Sequence, residues 1–261
     1  RGREPLRKAL KEFFPDAKDH TSIDAYFKLL QEVEEVGISY YIDKVIPPAI
    51  SKVIGGWLRR NVLKYSDQTT LEVLRKITDN EKLIGVLTAQ YGDYGLLPSK
   101  SSFYMHALLA NHYMDGAGYP IGGAGSIART VTPVIEQAGG KVIFCAEVKE
   151  VIVKNNTAVG VEMWDGKKIY ADCVISDAGV MNTFAKLLPA ETRKQHQLEE
   201  KLKNLEPSAA HVGLYLGLKA SQADIQVPAC NYLLFPDEYN HELSQKRYAD
   251  INSDLPVTYI S

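Results

Sequence analysis

Residues 119–126, Tyr119-Pro120-Ile121-Gly122-Gly123-Ala124-Gly125-Ser126, are the hinge of the reading: the pattern before them is helical and the pattern after them turns to strands. Gly123-Ala124-Gly125-Ser126-Ile127-Ala128 matches the dinucleotide fingerprint G-x-G-x-x-A, with Glu147 about 20 residues on, where a ribose-binding acid would stand. A true fingerprint, however, turns straight out of a buried strand. Pro120 cannot donate to a central ladder, so no first strand is available. The loop is therefore not read as a primary nucleotide fingerprint. Its backbone N–H groups at a helix start suit an anion or carbonyl, and suit equally a purely structural turn.

Downstream, Ile127, Val131, Val134, Ile135 and Ala138 form one helix face, with Pro133 inside it and Gly139-Gly140 as its stop. Strands are expected over Lys141–Val148, Lys149–Lys154 and Val159–Met163. Asn155-Asn156 and Asp165-Gly166 supply the turns. Cys173-Val174-Ile175 is nearly continuous apolar sequence, as in a strand buried on both faces. A short helix near Phe184–Leu188 and a solvated helical run from Glu191 to Lys203 come next. Val212, Leu214, Leu216 and Leu218, then Tyr232–Phe235 and Val257–Ile260, read as strands.

Upstream, Thr21 or Ser22 caps a helix through Ile23, Phe27, Leu30 and Val33 that Gly37 is expected to stop. Pro47-Pro48 and Gly55-Gly56 punctuate the next stretch of chain. Leu71, Leu74 and Ile77, then Leu83, Ile84 and Leu87, suggest two further helices, and Ser101 or Ser102 opens a last one toward Gly116. The order of elements is α+β, or mixed α/β. Boundaries are placed at 1–118 (mainly helical), 119–189 (loop, helix, strands, hairpin) and 190–261 (antiparallel strands).

The 261 residues are 45% hydrophobic and 24% charged with net charge −2, a globular composition with no electrostatic pull toward nucleic acid. Arg1, Arg3, Arg7, Lys8 and Lys11 are interleaved with Glu4, Glu12 and Asp16, which reads as a solvated helix face. Cys145, Cys173 and Cys230 are too far apart for a metal; two lie in apolar runs and are expected to be buried. No apolar run is long enough to span a membrane. No initiator Met or secretory signal opens the chain, and it stops just after a strand-like stretch, so an internal piece of a longer, cytoplasmic or membrane-peripheral protein is expected. His106 and His112 fall on different faces of one helix and cannot share a metal. Several of the 15 tyrosines, with Phe103, adjoin apolar helices, and either line a channel for a long apolar ligand or fill an ordinary core. The pocket candidates are Tyr94, Phe103, His106 and Tyr113. No nucleophile elbow, zinc motif or Walker sequence is present, and no catalytic residue is assigned.

The run Tyr119–Ile127, the helix to Gly139-Gly140, Ala146-Glu147-Val148 through Gly160-Val161, Asp165-Gly166 and Ala171–Ala178 together resemble the middle segment of phytoene desaturases, carotenoid isomerases and retinol saturases. Gly92-Asp93-Tyr94-Gly95-Leu96-Leu97-Pro98-Ser99 and Met105-His106-Ala107 to His112-Tyr113 look most like retinol saturase. The resemblance is specific over residues 91–189. It implies part of an FAD-binding domain joined to a substrate domain of helices and a mostly antiparallel sheet. It also implies FAD exchanging hydride with a C–C bond of a polyene, a polyisoprenoid substrate, and an electron partner that the sequence does not name. Carried over, Val148 would hold the adenine end through its backbone, Ser176, Asp177 and Ala178 would lie near the cofactor, and Gly122 and Gly123 would pass the flavin side. The family's N-terminal fingerprint and C-terminal flavin motif are absent, so this chain alone is expected to bind FAD weakly or not at all. A lipid-soluble substrate implies contact with a membrane surface. Tyr40, Tyr41, Ile42, Val45, Ile46, Ile50, Val53, Ile54 and Trp57 are candidates for that contact, for a tunnel mouth, or for the core. The alternatives are a flavin amine oxidase relative and a non-catalytic binding domain.

Overall fold

The computed structural model describes residues 2–205, 211–225, 230–236, 239–248, 250, 252, 253, 255 and 257–260. The chain forms two compact units, residues 1–117 with 208–261, and residues 118–207. The fold is mixed α+β, mostly helical with small antiparallel sheets.

The first unit is built on α1 (Arg3–Phe13), α2 (Ala17–Val45), α3 (Pro48–Ser66), α4 (Thr70–Leu74), α5 (Glu81–Leu87) and α6 (Phe103–Met114). On α2 the residues Ile23, Tyr26, Phe27, Leu30 and Val33 recur at three and four and are buried, joining Val62, Leu74, Leu83 and Phe103 in one core. The helix starts earlier than Thr21 and runs past Gly37. Gly37 is a packing glycine: a Cβ there would lie 3.0 Å from Tyr104 Oη. Gly55 likewise sits inside α3, where a Cβ would lie 2.4 Å from Asp43 Oδ1. Thr69 and Glu72 close a capping box at α4, which satisfies two otherwise orphaned amides.

The basic residues of α1 are more than a solvated face. Arg7 Nε donates to Asp24 Oδ1 at 2.7 Å, Lys11 Nζ lies 2.6 Å from the same oxygen, and Arg3 pairs with Glu34, so α1 is strapped to α2. Arg7, then Lys11, hold the Asp24 carboxyl down to about 2. Later in the chain come α10 (Gln222–Ile225), β4 (Tyr232–Leu234), α11 (His241–Tyr248) and β5 (Thr258–Ile260), with β4 and β5 antiparallel. Residues 211–218, expected as a strand, are not one. Val212, Leu214, Leu216 and Leu218 are exposed, and no strand pairs with them among the described residues.

The second unit holds α7 (Gly125–Gln137), β1 (Val148–Lys154), β2 (Thr157–Met163), β3 (Lys168–Tyr170), α8 (Ala190–Gln195) and α9 (Leu198–Leu202). The sheet order is β1-β2-β3, all antiparallel. Asn155 and Asn156, at φ +50° and +60°, make the tight primed turn that matches strand twist. The next turn is a three-residue loop. Met163 N–H donates to Lys167 O, and Gly166 supplies the left-handed residue at φ +83°. Two expected strands do not form. Residues 141–147 and 173–175 are not strands; the chain bends at Phe144-Cys145, where Cys145 has φ +54°, and Ile143, Phe144 and Ile175 are exposed. Cys145, Cys173 and Cys230 are all exposed, against the expectation of burial for those in apolar runs.

Candidate functional site

In the second unit the glycine loop is a turn closed on itself. The Gly123 amide donates to Pro120 O, Ala124 to Tyr119 Oη at 3.2 Å, Ser126 to Gly123 O and Ile127 to Ala124 O. Arg129 Nη2 and Ser126 Oγ add bonds to Gly122 O and Gly123 O. These amides are engaged internally, which favours the structural reading of the loop over an anion cradle built from them. Gly122 and Gly123 have φ of +89° and +81°, and a Cβ on Gly123 would meet nothing within 4 Å, so that side of the loop is open to close approach.

Val148 opens β1, an edge strand of the sheet. The Trp164 amide donates to Glu147 O at 3.2 Å, and antiparallel alternation then turns the Val148 N–H and C=O away from β2, toward the unpaired edge. Ser176, Asp177 and Ala178 are exposed on the segment before a single π-helical turn, Asn182–Leu187. Ser176 Oγ lies 2.7 Å from Thr183 Oγ1 and accepts the Ala178 amide at 3.4 Å, and Asn182 Nδ2 donates to Ala178 O.

In the first unit three of the four aromatic-pocket candidates come together. His106 is buried on α6, with Tyr26 Oη 2.9 Å from its Nε2, Tyr94 Oη 3.3 Å from its Nδ1, and the Phe103 ring 5.9 Å away. Burial holds the imidazole down to about 4 and pushes the Tyr94 phenol up to about 12. The same burial raises Tyr26. Thr70 Oγ1 and Ser101 Oγ, 2.8 Å apart and buried, continue the polar core. Tyr113 stands apart, largely at the surface, donating to Asp93 Oδ2 at 3.1 Å. Neither of two clefts is lined by any of the four. One of about 590 Å³ lies along α4, α5 and residues 239–243, and one of about 470 Å³ lies against Thr157–Val159 and Tyr170–Asp172. Among the described residues no cluster of His, Cys, Asp or Glu is placed to hold a metal, and no helix is long and apolar enough to cross a membrane.

No family model matches the chain. The all-trans-retinol 13,14-reductase of Danio rerio is 32% identical over 250 residues, 93% of this chain and 41% of the relative. An "inactive all-trans-retinol 13,14-reductase" of Danio rerio is 30% identical over 100% of this chain and 44% of its own length. This chain is a homologue of the retinol reductases. A chloroplastic prolycopene isomerase of Daucus carota, 28% identical over 68% of this chain and 29% of the relative, extends the kinship to carotenoid isomerases. The chain spans about two fifths of the length of these reductase relatives.

Two polar clusters of the homologue were not foreseen from sequence. Tyr26 is the central partner of His106, and its place three after Ile23 and four before Leu30 on a buried stripe was the available signal. Asp43, with its side chain 1% exposed, accepts from Ser51 Oγ and from Arg59 Nη1, each at 2.7 Å, and ties the C-terminal turn of α2 to α3. The signal there was a single acid inside an otherwise apolar and basic run.

Proposed function

We propose that the chain is the polyene-handling portion of a longer FAD-dependent oxidoreductase or isomerase acting on a retinoid or carotenoid. The observation that carries this reading is the homology to retinol reductases across nearly all of the chain, with prolycopene isomerases more distant. Two features of the second unit fit FAD. Val148 offers backbone groups on an open sheet edge, suited to an adenine rim, and Gly123 leaves a Cβ-free approach. Gly122 and Gly123, with Ser176, Asp177 and Ala178, are the further residues assigned to it. When bound, FAD supplies the hydride chemistry, and this chain's own residues bind and orient. Because the chain spans only about two fifths of its reductase relatives, it holds FAD weakly by itself.

Tyr94, Phe103 and His106 hold the substrate-side helices in register, with the neutral imidazole bridging two phenols in a dry core. A polyene of this class partitions into lipid, so the protein takes it from a membrane surface. The deciding experiment incubates protein carrying this chain with all-trans-retinol or a cis-carotenoid and reduced FAD under anaerobic conditions, with chromatographic analysis. A saturated or isomerised polyene supports the proposal. An unchanged polyene alongside a stable complex supports instead a non-catalytic binding role, a second reading that the relative labelled inactive favours.

A further inference from the structure

The α2–α3 hairpin ends in an apolar tip. Ile38, Tyr41 and Val45 on α2, and Ile50, Val53 and Trp57 on α3, each follow an i, i+3, i+7 spacing that makes one stripe per helix, and all six are exposed. Val53 is 83% and Trp57 70% solvent-accessible, and the six lie together, whereas the exposed apolar side chains of the unit's other helices, such as Phe13 on α1 and Met105 on α6, do not form such paired stripes. The stripes are confined to the tip. One and two turns back along α2 the same rows carry Glu34, Glu35 and Gln31, and beyond Trp57 the row on α3 continues into Asn61 and Lys64.

The charge at the tip is one-sided. Residues 38–60 contain four cations, Lys44, Lys52, Arg59 and Arg60, against one carboxylate, Asp43, for a net +3. Asp43 is buried in its pairing with Arg59 and Ser51, so no acid faces solvent from this segment, whereas Lys44, Lys52 and Arg60 are exposed. The Asp43 contacts, with Ser39 Oγ donating to Leu58 O at 3.0 Å, lock the two helices side by side.

We infer that this tip is a docking element for an anionic lipid surface, with Val45, Val53 and Trp57 entering the headgroup–acyl boundary and Lys44, Lys52 and Arg60 engaging lipid phosphates. An amphipathic surface with an indole and a phenol among aliphatic residues, rimmed by cations, has the chemistry of an interfacial anchor. A second copy is a poorer occupant: a two-fold contact would set the same cationic rim against itself. The inference takes its purpose from the lipid-substrate reading but not its observations, and its test contains no polyene. A failed docking test therefore leaves the polyene proposal standing, and absent turnover leaves docking standing.

In a Trp164→Phe background Trp57 is the only tryptophan. The expected result is a blue shift of its emission, and co-flotation, with phosphatidylglycerol-containing vesicles, far weaker with phosphatidylcholine alone and reduced by salt. Lys44→Gln/Lys52→Gln/Arg60→Gln should weaken partitioning on the order of a hundredfold, from roughly fivefold per cation. Val53→Ser/Trp57→Ser, read by flotation, should abolish it. Ile127→Ser/Val131→Ser, on the exposed face of α7, should leave it unchanged. The charge variant changes only exposed side chains and answers the question by itself should the apolar variant misfold. The inference is overturned if partitioning is the same with and without the charge changes, if the α7 variant abolishes it, or if Trp57 is already blue-shifted in a lipid-free dimer.

Discussion

Helices α2 and α7 carry comparable apolar stripes. Ile23, Leu30 and Val33 on α2 have no measurable exposure, while Ile127, Val131 and Val134 on α7 stand in solvent and no residue of α7 is buried. The contrast extends to the two units. The first closes a core around Phe103, Leu74 and Leu83; in the second, Val151 and Met163 are the hydrophobic residues buried among those described. Periodicity states which face requires cover, and the availability of that cover is decided by sequence-distant chain. Within the first unit the cover for α2 comes from α1, α3 and α6. In the second unit no described element of that unit covers α7, and residues 141–147 and 173–175 form no strand, a state consistent with the proposal that the chain works within a longer protein.

That contrast can be broken by mutation. Phe103→Ala should cost about 3–5 kcal/mol by urea unfolding, because it opens a cavity in a fully covered site. Loss of only a few tenths would mean the helical core is not closed. A second effect of similar size is pH-dependent. Burial holds His106 down to about 4 in the folded chain against its ordinary 6.5 when unfolded, and among the described residues Tyr26 and Tyr94 face its ring nitrogens. Because the folded value is the lower one, its contribution is complete above about 6.5. That contribution falls by about 3 kcal/mol as pH drops toward 4 and levels off below that, where the loss of the depressed Asp24 carboxylate takes over. His106→Gln should flatten most of this slope, leaving the smaller same-direction contribution of His241.

Tyr26→Phe comes next. It removes one partner of a buried nitrogen and should cost about 1–3 kcal/mol, measured in the same unfolding assay. In the second unit Gly160→Ala should cost about as much, because a Cβ there would lie 2.2 Å from Ile169 O and φ is +153°. Amide exchange should accelerate across β2 and β3 and not in α2. The smallest effect is expected for Val131→Ala, within about 0.5 kcal/mol, because the side chain is already exposed. A cost of several kcal/mol would show that α7 is covered after all.

Much of the fold was legible wherever a local rule decides. The Asn155-Asn156 turn, the helix after the glycine loop and the stop at Gly139 need only neighbouring residues. Gly37 reads as a helix stop and Gly55 as punctuation, although both lie inside helices, because a glycine's reason is invisible when it lies in a partner helix, here Tyr104 and Asp43. Cys173–Ile175 and Val212–Leu218 were misread because alternation and apolarity report strand preference, whereas a strand needs a ladder partner. At the candidate site, the residue types around His106 were readable, but Tyr26, 80 positions away, was not. The hairpin-tip residues were readable as an apolar run, and only the three-dimensional structure shows that they face solvent.

The central proposal is that residues 119–178 offer FAD a backbone shelf, with Val148 at the adenine end and Gly122 and Gly123 on the flavin side. Titration of the isotope-labelled chain with FAD, followed through backbone amide resonances, tests it most directly. Weak, saturable shifts confined to Val148, Gly122, Gly123 and Ser176–Ala178 are the expected result. Shifts elsewhere, or none at saturating FAD, would contradict it.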